Sequence, residues 1–152
     1  MKETAIVVQR VEPFQEPDTA EIERLTRAAG YEVVDVLTQS REQDKEYNVG
    51  QGKMHESNIA AQEHNADIIV VDNEMGPYQM YNYGIYVPSD VKVLDRYSLI
   101  LNIFEQRANT KKSQLQVELS KLRYELPRAE TKVRLAKREE HPGFMGLGEY
   151  DQ

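Results

Sequence analysis

LQVELSKLRYELPRAETKVRLAKR, residues 115–138, is the stretch whose reading decides the fold. Leu115, Leu119, Leu122, Leu126, Ala129, Val133 and Ala136 follow one another at alternating steps of four and three residues. That is a heptad seam, the pattern of a helix built to lie along another helix. The residues after it have no periodicity that could fold back over the seam, so the leucine row is expected to stay uncovered by its own chain. Pro127 sits on the seam's line, where proline costs an interior helix about 3 kcal/mol. The seam keeps phase across it, which predicts a kink and not a break.

Charge separates at the same place. Residues 107–138 hold ten Lys and Arg against three Glu, a net of +7, while the whole chain is −7. The cations are Arg107, Lys111, Lys112, Lys121, Arg123, Arg128, Lys132, Arg134, Lys137 and Arg138, with Tyr124 among them. A one-signed excess gains little from i,i+4 ion pairing. It points to phosphate contact with RNA, of the kind that positions without reading sequence. The expected RNA-binding set is Arg107, Lys111, Lys112, Arg123, Arg128, Lys132, Arg134 and Arg138. Leu115, Leu119, Leu122, Leu126 and Val133 form the expected helix-pairing seam. A solvated charged face is the plainer alternative.

Upstream of this arm the apolar runs change character. Ala5–Val8, Val33–Leu37, Ile68–Val71 and Val91–Leu94 read as strands, the first and third as strands covered on both faces. Between them come helical stretches. One starts on the capping-box-like Asp18-Thr19-Ala20-Glu21 and stops at Gly30, one covers roughly Met54 to His64, a short one opens at Gly76-Pro77, and one carries Leu99, Ile100, Ile103 and Phe104. Asp95 or Ser98 is positioned to cap the last of these. Strands alternating with helices predict an α/β fold: a small four-stranded parallel sheet flanked by helices, followed by a long C-terminal helical arm. The expected organisation is an α/β domain over 1–109, a long basic helix over 110–140, and a Gly-containing turn and tail over 141–152. The polar segment from Thr38 to Asn48 is long for a connection.

The lack of cysteine removes disulfides, thiolate metal sites and cysteine nucleophiles. No apolar run approaches a membrane span, and the acidic amino terminus has no secretory apolar region, so a cytoplasmic location is expected. Gly50-Gln51-Gly52-Lys53 stands where a strand gives way to a helix and is a candidate phosphate-binding loop through Gly50, Gly52 and Lys53. It fails the Walker pattern twice, since Met54 follows Lys53 and Tyr47 occupies the first glycine position. A tight loop that needs small residues is the plainer reading. Asp72-Asn73-Glu74, at the carboxyl end of a central strand, could hold Mg²⁺ or simply tie down the next loop. His55, His64 and His141 make no metal pattern and read as surface histidines; no catalytic set emerges, and the expectation is no metal and no catalytic residue.

Several segments taken together resemble the amino-terminal region of the HflX family of ribosome-associated GTPases. They are Tyr47-Asn48-Val49-Gly50-Gln51-Gly52-Lys53, Val71-Asp72-Asn73-Glu74-Met75-Gly76-Pro77-Tyr78-Gln79, Val93-Leu94-Asp95-Arg96, Ile100-Leu101-Asn102-Ile103-Phe104, Gln106-Arg107-Ala108, Leu115-Gln116-Val117-Glu118-Leu119 and Leu126-Pro127-Arg128. They run in the family's order over almost the whole chain. Gly146-Leu147-Gly148-Glu149 is similar to a shortened form of the glycine-rich turn that joins the family's two long helices.

The resemblance implies an α/β domain and helical arm that dock on the large ribosomal subunit and its rRNA, in a protein that splits or rescues stalled ribosomes. It implies basic contacts at Arg107, Arg128 and Lys53. GTP and Mg²⁺ are expected only with the G domain, whose motifs, like the second long helix, are absent from these 152 residues, so no GTP hydrolysis is expected of this chain alone. Alone, the arm is expected to pair with a second copy of itself. Two rival readings stay open: a nucleotide-binding α/β module using Gly50 to Lys53, and a coiled-coil dimerisation module.

Overall fold

The computed structural model describes residues 2–140. Four strands form one wholly parallel sheet: β1 (Thr4–Val11), β2 (Glu32–Ser40), β3 (Ile68–Val71) and β4 (Lys92–Asp95), in the order β2-β1-β3-β4. The connections carry α1 (Ala20–Ala28), α2 (Gln51–Glu63) and α3 (Pro77–Tyr86); α4 (Arg96–Arg107) and α5 (Lys111–Glu140) follow the last strand. The α/β reading and the long carboxyl-terminal helix are therefore both present.

Side chains of a strand alternate between faces, and each face of this sheet has its own core. Ile6, Val8, Ile69 and Val71 pack with Met54, Met75 and Tyr83 under α2 and α3. Ala5, Val7, Ile68 and Val70 pack with Ile22, Leu99 and Ile103 under α1 and α4. Strands β1 and β3 occupy the middle of the sheet, which is why their sequences are apolar without alternation.

Several boundaries move relative to the sequence reading, those of β1, β2 and α2 the most. β2 runs on to Ser40, because Thr38, Gln39 and Ser40 pair with Gln9, Arg10 and Val11 of β1; backbone pairing extends the strand where side-chain hydrophobicity has ended. α2 starts at Gln51, ahead of Met54, and buries small or polar residues such as Ser57, Asn58, Ala60 and Ala61. The Ser57 hydroxyl is satisfied at 2.6 Å by the Tyr83 hydroxyl, and the Asn58 amide donates to the Tyr86 carbonyl at 3.1 Å. α5 is a single helix that passes through Pro127.

Candidate functional site

The long helix does not stand away from the sheet. It lies along α3 and α4 and presents to them a face that has little hydrophobic signature: Ser113, Val117, Ser120, Tyr124, Arg128, Thr131 and Leu135 are the residues it partly or wholly buries there, apart from Lys121. Ser113, Val117, Ser120, Tyr124 and Thr131 each stand two positions before a seam residue, roughly 200° round the helix. The seam consequently points the opposite way. Leu115 is 54%, Leu119 48%, Leu122 56%, Leu126 61% and Val133 58% exposed. An arm resting on its own body with its leucines open fits a helix with one face docked and the other free for a companion.

The docked face is fixed by polar chemistry. Arg128 Nη2 donates to the Met75 carbonyl at 2.5 Å and stands 3.9 Å from Asp95 Oδ2. Its guanidinium lies 3.6 Å above the Tyr124 ring, which in turn stacks on Tyr97 with centroids 5.1 Å apart. Asp95 is fully buried; it caps α4 by accepting from Ser98 N–H at 2.9 Å and accepts from Met75 N–H at 3.0 Å. Burial, and then the neighbouring Asp95 charge, push the Tyr124 phenol well above its ordinary value. Arg128, expected from sequence as an RNA contact, is thus a partly buried fastening between arm and body. The signal that could have revealed this is the pairing of Leu126-Pro127-Arg128 with the Val93–Arg96 and Asp72–Pro77 segments, which the fold brings together.

The other expected cations are placed differently. Arg107, Lys111, Lys112, Arg123, Lys132, Arg134 and Arg138 are exposed, and among the described residues no carboxylate pairs with any of them. Lys112, Arg123, Arg134, Lys137 and Arg138 fall on one flank of α5 by helical geometry, between the docked face and the seam. The opposite flank carries Glu118 and Glu125 beside Lys132, and its Lys121 is held by Glu105 at 2.8 Å, so its charges balance, whereas Glu130 is the one carboxylate on the basic flank among the described residues. The positive potential is one-sided.

At the carboxyl edge of the sheet, between β1 and β3, the usual ligand crevice of an open α/β sheet is occupied by the protein's own side chains. Gln9 Nε2 donates to Asp72 Oδ2 at 2.8 Å, Arg96 Nη1 to Asp72 Oδ1 at 2.8 Å, and the Asn73 amide bonds to both backbone groups of Arg10. Asp72 and Asn73 therefore tie loops together, and among the described residues no cluster of three or more His, Asp or Glu side chains is placed to hold a metal ion. The expected Gly50–Lys53 loop is the N-cap and first turn of α2: Gly50 N–H donates to Gln39 Oε1 at 2.8 Å and Lys53 is paired with Glu56 at 2.8 Å. A side chain at Gly50 would meet the Arg41 guanidinium at 2.6 Å and the Gln39 amide at 3.0 Å, the free ends of two flexible side chains that can move aside. His64 lies 3.7 Å from Asp35 on the surface, His55 sits edge-on to Tyr86, and His141 and the Gly146–Glu149 turn lie outside the described residues.

A four-stranded parallel sheet followed by a long helix is a fold this chain shares with solved GTP-binding proteins. Residues 16–105 match the family described as GTP-binding GTPase N-terminal, and residues 107–152 match the GTP-binding GTPase middle region. The GTPase HflX of Thermococcus kodakarensis is 40% identical over 131 residues, covering 86% of this chain and 29% of that protein. The GTPase HflX of Methanocaldococcus jannaschii is 38% identical over 146 residues, covering 96% of this chain and 36% of that protein. A GTP-binding protein of Sulfolobus solfataricus in complex with GDP shares the fold, with a TM-score of 0.65 at 19% identity over 97% of this chain and 46% of that one. The chain belongs to the HflX family of GTPases and corresponds to its amino-terminal region. It spans about a third of the length of these two curated relatives. Among the described residues no helix is long and apolar enough to cross a membrane.

Proposed function

We propose that this chain is the ribosome-docking front end of an HflX-type GTPase, with α5 laying its basic flank against large-subunit rRNA in the service of ribosome splitting or rescue. In such a protein the nucleotide and Mg²⁺ belong to the G domain, and this chain hydrolyses no GTP by itself. The observation that carries the reading is the row of exposed, unpaired cations on one flank of α5, borne by a chain that is otherwise acidic. Unpaired cations release counterions when they meet phosphate, so the contact is strong at low salt and decays steeply as salt rises. Cosedimentation with large ribosomal subunits over a salt series tests it. Arg123→Glu with Arg134→Glu is expected to abolish binding at physiological salt, and Lys121→Glu, on the other flank, to leave it within a few-fold. Equal binding by the wild type and the double variant would overturn the reading. The nucleotide-module reading has less support, because the Gly50 N–H and the Lys53 ammonium are already engaged within the protein.

A second reading concerns the seam. We propose that in the isolated chain it pairs with a second copy, antiparallel about Leu126. In that register Leu115 meets Ala136 and Leu122 meets Ala129, large against small, while Leu119 meets Val133 and Leu126 meets its own copy. The flanks also match, Glu118 with Lys132 and Arg123 with Glu130. A two-fold axis repeats each of these pairs, apart from the contact of Leu126 with its own copy, which lies on the axis.

A further inference from the structure

The hinge at Ala108-Asn109-Thr110, where α4 turns into α5, leaves a cleft of about 430 Å³ between the two helices. Its size falls within the roughly 300–1,000 Å³ usual for small-ligand sites. Phe104 lies in its wall and is 54% exposed, with no ring of the described residues stacked on it. Arg107, one turn further along α4, is exposed and unpaired at the rim. Asn109 and Gln116 line the cleft too, and neither side-chain amide has a hydrogen-bond partner among the described residues. The Thr110 and Ser113 hydroxyls, by contrast, are spent on capping α5: Ser113 N–H donates to Thr110 Oγ1 at 3.0 Å. Gln116 stands on the same side of α5 as Lys112 and Arg123, so the cleft opens onto the basic flank and not onto the flank of Glu118 and Glu125.

An open aromatic face, free amides and a guanidinium set at the end of a cation row make up the chemistry that recognises a splayed-out nucleotide. Bases stack on aromatic side chains, amides bond to base edges, and arginine holds the phosphate. A continuous duplex needs only the cations, since its bases are not available for stacking. We infer that the α4–α5 cleft is a binding site for one unpaired RNA base, stacked on Phe104 and edged by Asn109 and Gln116, while Arg107, Lys112 and Arg123 hold the flanking phosphates. This rests on the RNA-docking role of α5 and assigns to it a preference for looped or bulged RNA over continuous helix.

The chain contains no tryptophan, so Phe104→Trp introduces a single reporter. Its fluorescence is expected to be quenched by a short single-stranded oligoribonucleotide and much less by the same strand in a duplex. Phe104→Ala is expected to weaken single-strand binding about tenfold, the scale of one lost stacking contact, and to leave duplex binding unchanged. Because Phe104 is on the surface, matching circular dichroism spectra and melting curves establish that both variants fold. Arg123→Glu with Arg134→Glu is expected to weaken both RNA forms together. If RNA binds in a cation-dependent way while Phe104→Ala changes nothing and Phe104→Trp is not quenched, the base site is overturned and RNA docking by the flank stands. If neither RNA form binds the wild type, both readings fall.

Discussion

Arg128 on the long helix donates to the Met75 carbonyl at the mouth of the loop after β3, and with Asp95 beneath it this one side chain fastens arm to body. Arg128→Ala removes the donor from a shielded carbonyl and leaves the buried Asp95 carboxylate without its nearest cation. A loss of about 1–3 kcal/mol follows from leaving such groups unsatisfied, visible as a lower urea midpoint with an unchanged slope. Arg128→Lys is expected to recover little, because an ammonium cannot both lie flat on the Tyr124 ring and reach the carbonyl. The same variants should accelerate amide exchange in α5 ahead of the sheet, since the fastening holds the arm and not the core. Full recovery by lysine would show that charge alone is at work.

Tyrosine ionisation gives a second handle. Tyr47 is buried, and burial first, then its hydrogen bond to Tyr86, push its phenol from the ordinary 10.0 up to about 12. Tyr83 and Tyr124 are shifted in the same direction, again by burial before anything else. A phenol kept neutral by the fold contributes stability that is fully present below pH 10.0 and is lost as pH rises through its folded value near 12. Phenolate absorbance should therefore appear in two stages, exposed tyrosines first. The second stage should coincide with loss of helical circular dichroism. Tyr47→Phe should move the unfolding step to higher pH, and a single smooth titration with no structural step would contradict the assignment.

Much of the sheet could be read from residue type because β1 and β3 are central and carry apolar side chains on both faces. The cap of α4 was legible as well: Asp95 and Ser98 exchange hydrogen bonds as their positions suggested. The docking of α5 was not legible. Its buried face is made of Ser113, Val117, Ser120, Tyr124, Arg128, Thr131 and Leu135, in which the few apolar or aromatic residues are interrupted by polar ones, while the obvious leucine period belongs to the face that stays open. Arg128 shows the same limit among the site residues. Nothing in its neighbours along the chain separates it from Arg123 or Arg134; only the distant carbonyl of Met75 does.

Glycine positions allow a paired comparison. Gly30 ends α1 at φ +104, with Tyr31 N–H donating to the Thr26 carbonyl at 3.2 Å and Gly30 N–H to the Arg27 carbonyl at 2.9 Å. That is a Schellman closure, and an L side chain there is strained even though open space surrounds the position. Gly30→Ala is expected to cost about 1–2 kcal/mol. Gly52 lies in the first turn of α2 with a φ that any residue adopts and nothing near its missing side chain. Gly52→Ala is expected to gain about 0.5–1 kcal/mol by narrowing the unfolded ensemble. Thermal melts of the two variants should shift in opposite directions; a common sign would mean that backbone conformation is not what distinguishes them.

The register of self-pairing can be tested with the chain's own lack of cysteine, which makes any introduced thiol unique. In the antiparallel arrangement Leu126 sits on the two-fold axis, so the Leu126→Cys variant should form an interchain disulfide under mild oxidation. Leu115→Cys should not, because its counterpart lies at the far end of the partner helix. A parallel pair would place both thiols next to their own copies and crosslink both variants. Leu119→Asp puts a carboxylate into the apolar contact and should leave monomers at high micromolar concentration, with helix content unchanged because the docked face of α5 is untouched. Glu118→Lys should weaken the dimer and Glu118→Lys with Lys132→Glu should restore it, since the swap preserves the cross-pair only if those two positions face each other. A wild-type chain that sediments as a monomer at that concentration, with α5 still helical, would remove the self-pairing proposal and leave the seam to a different helix.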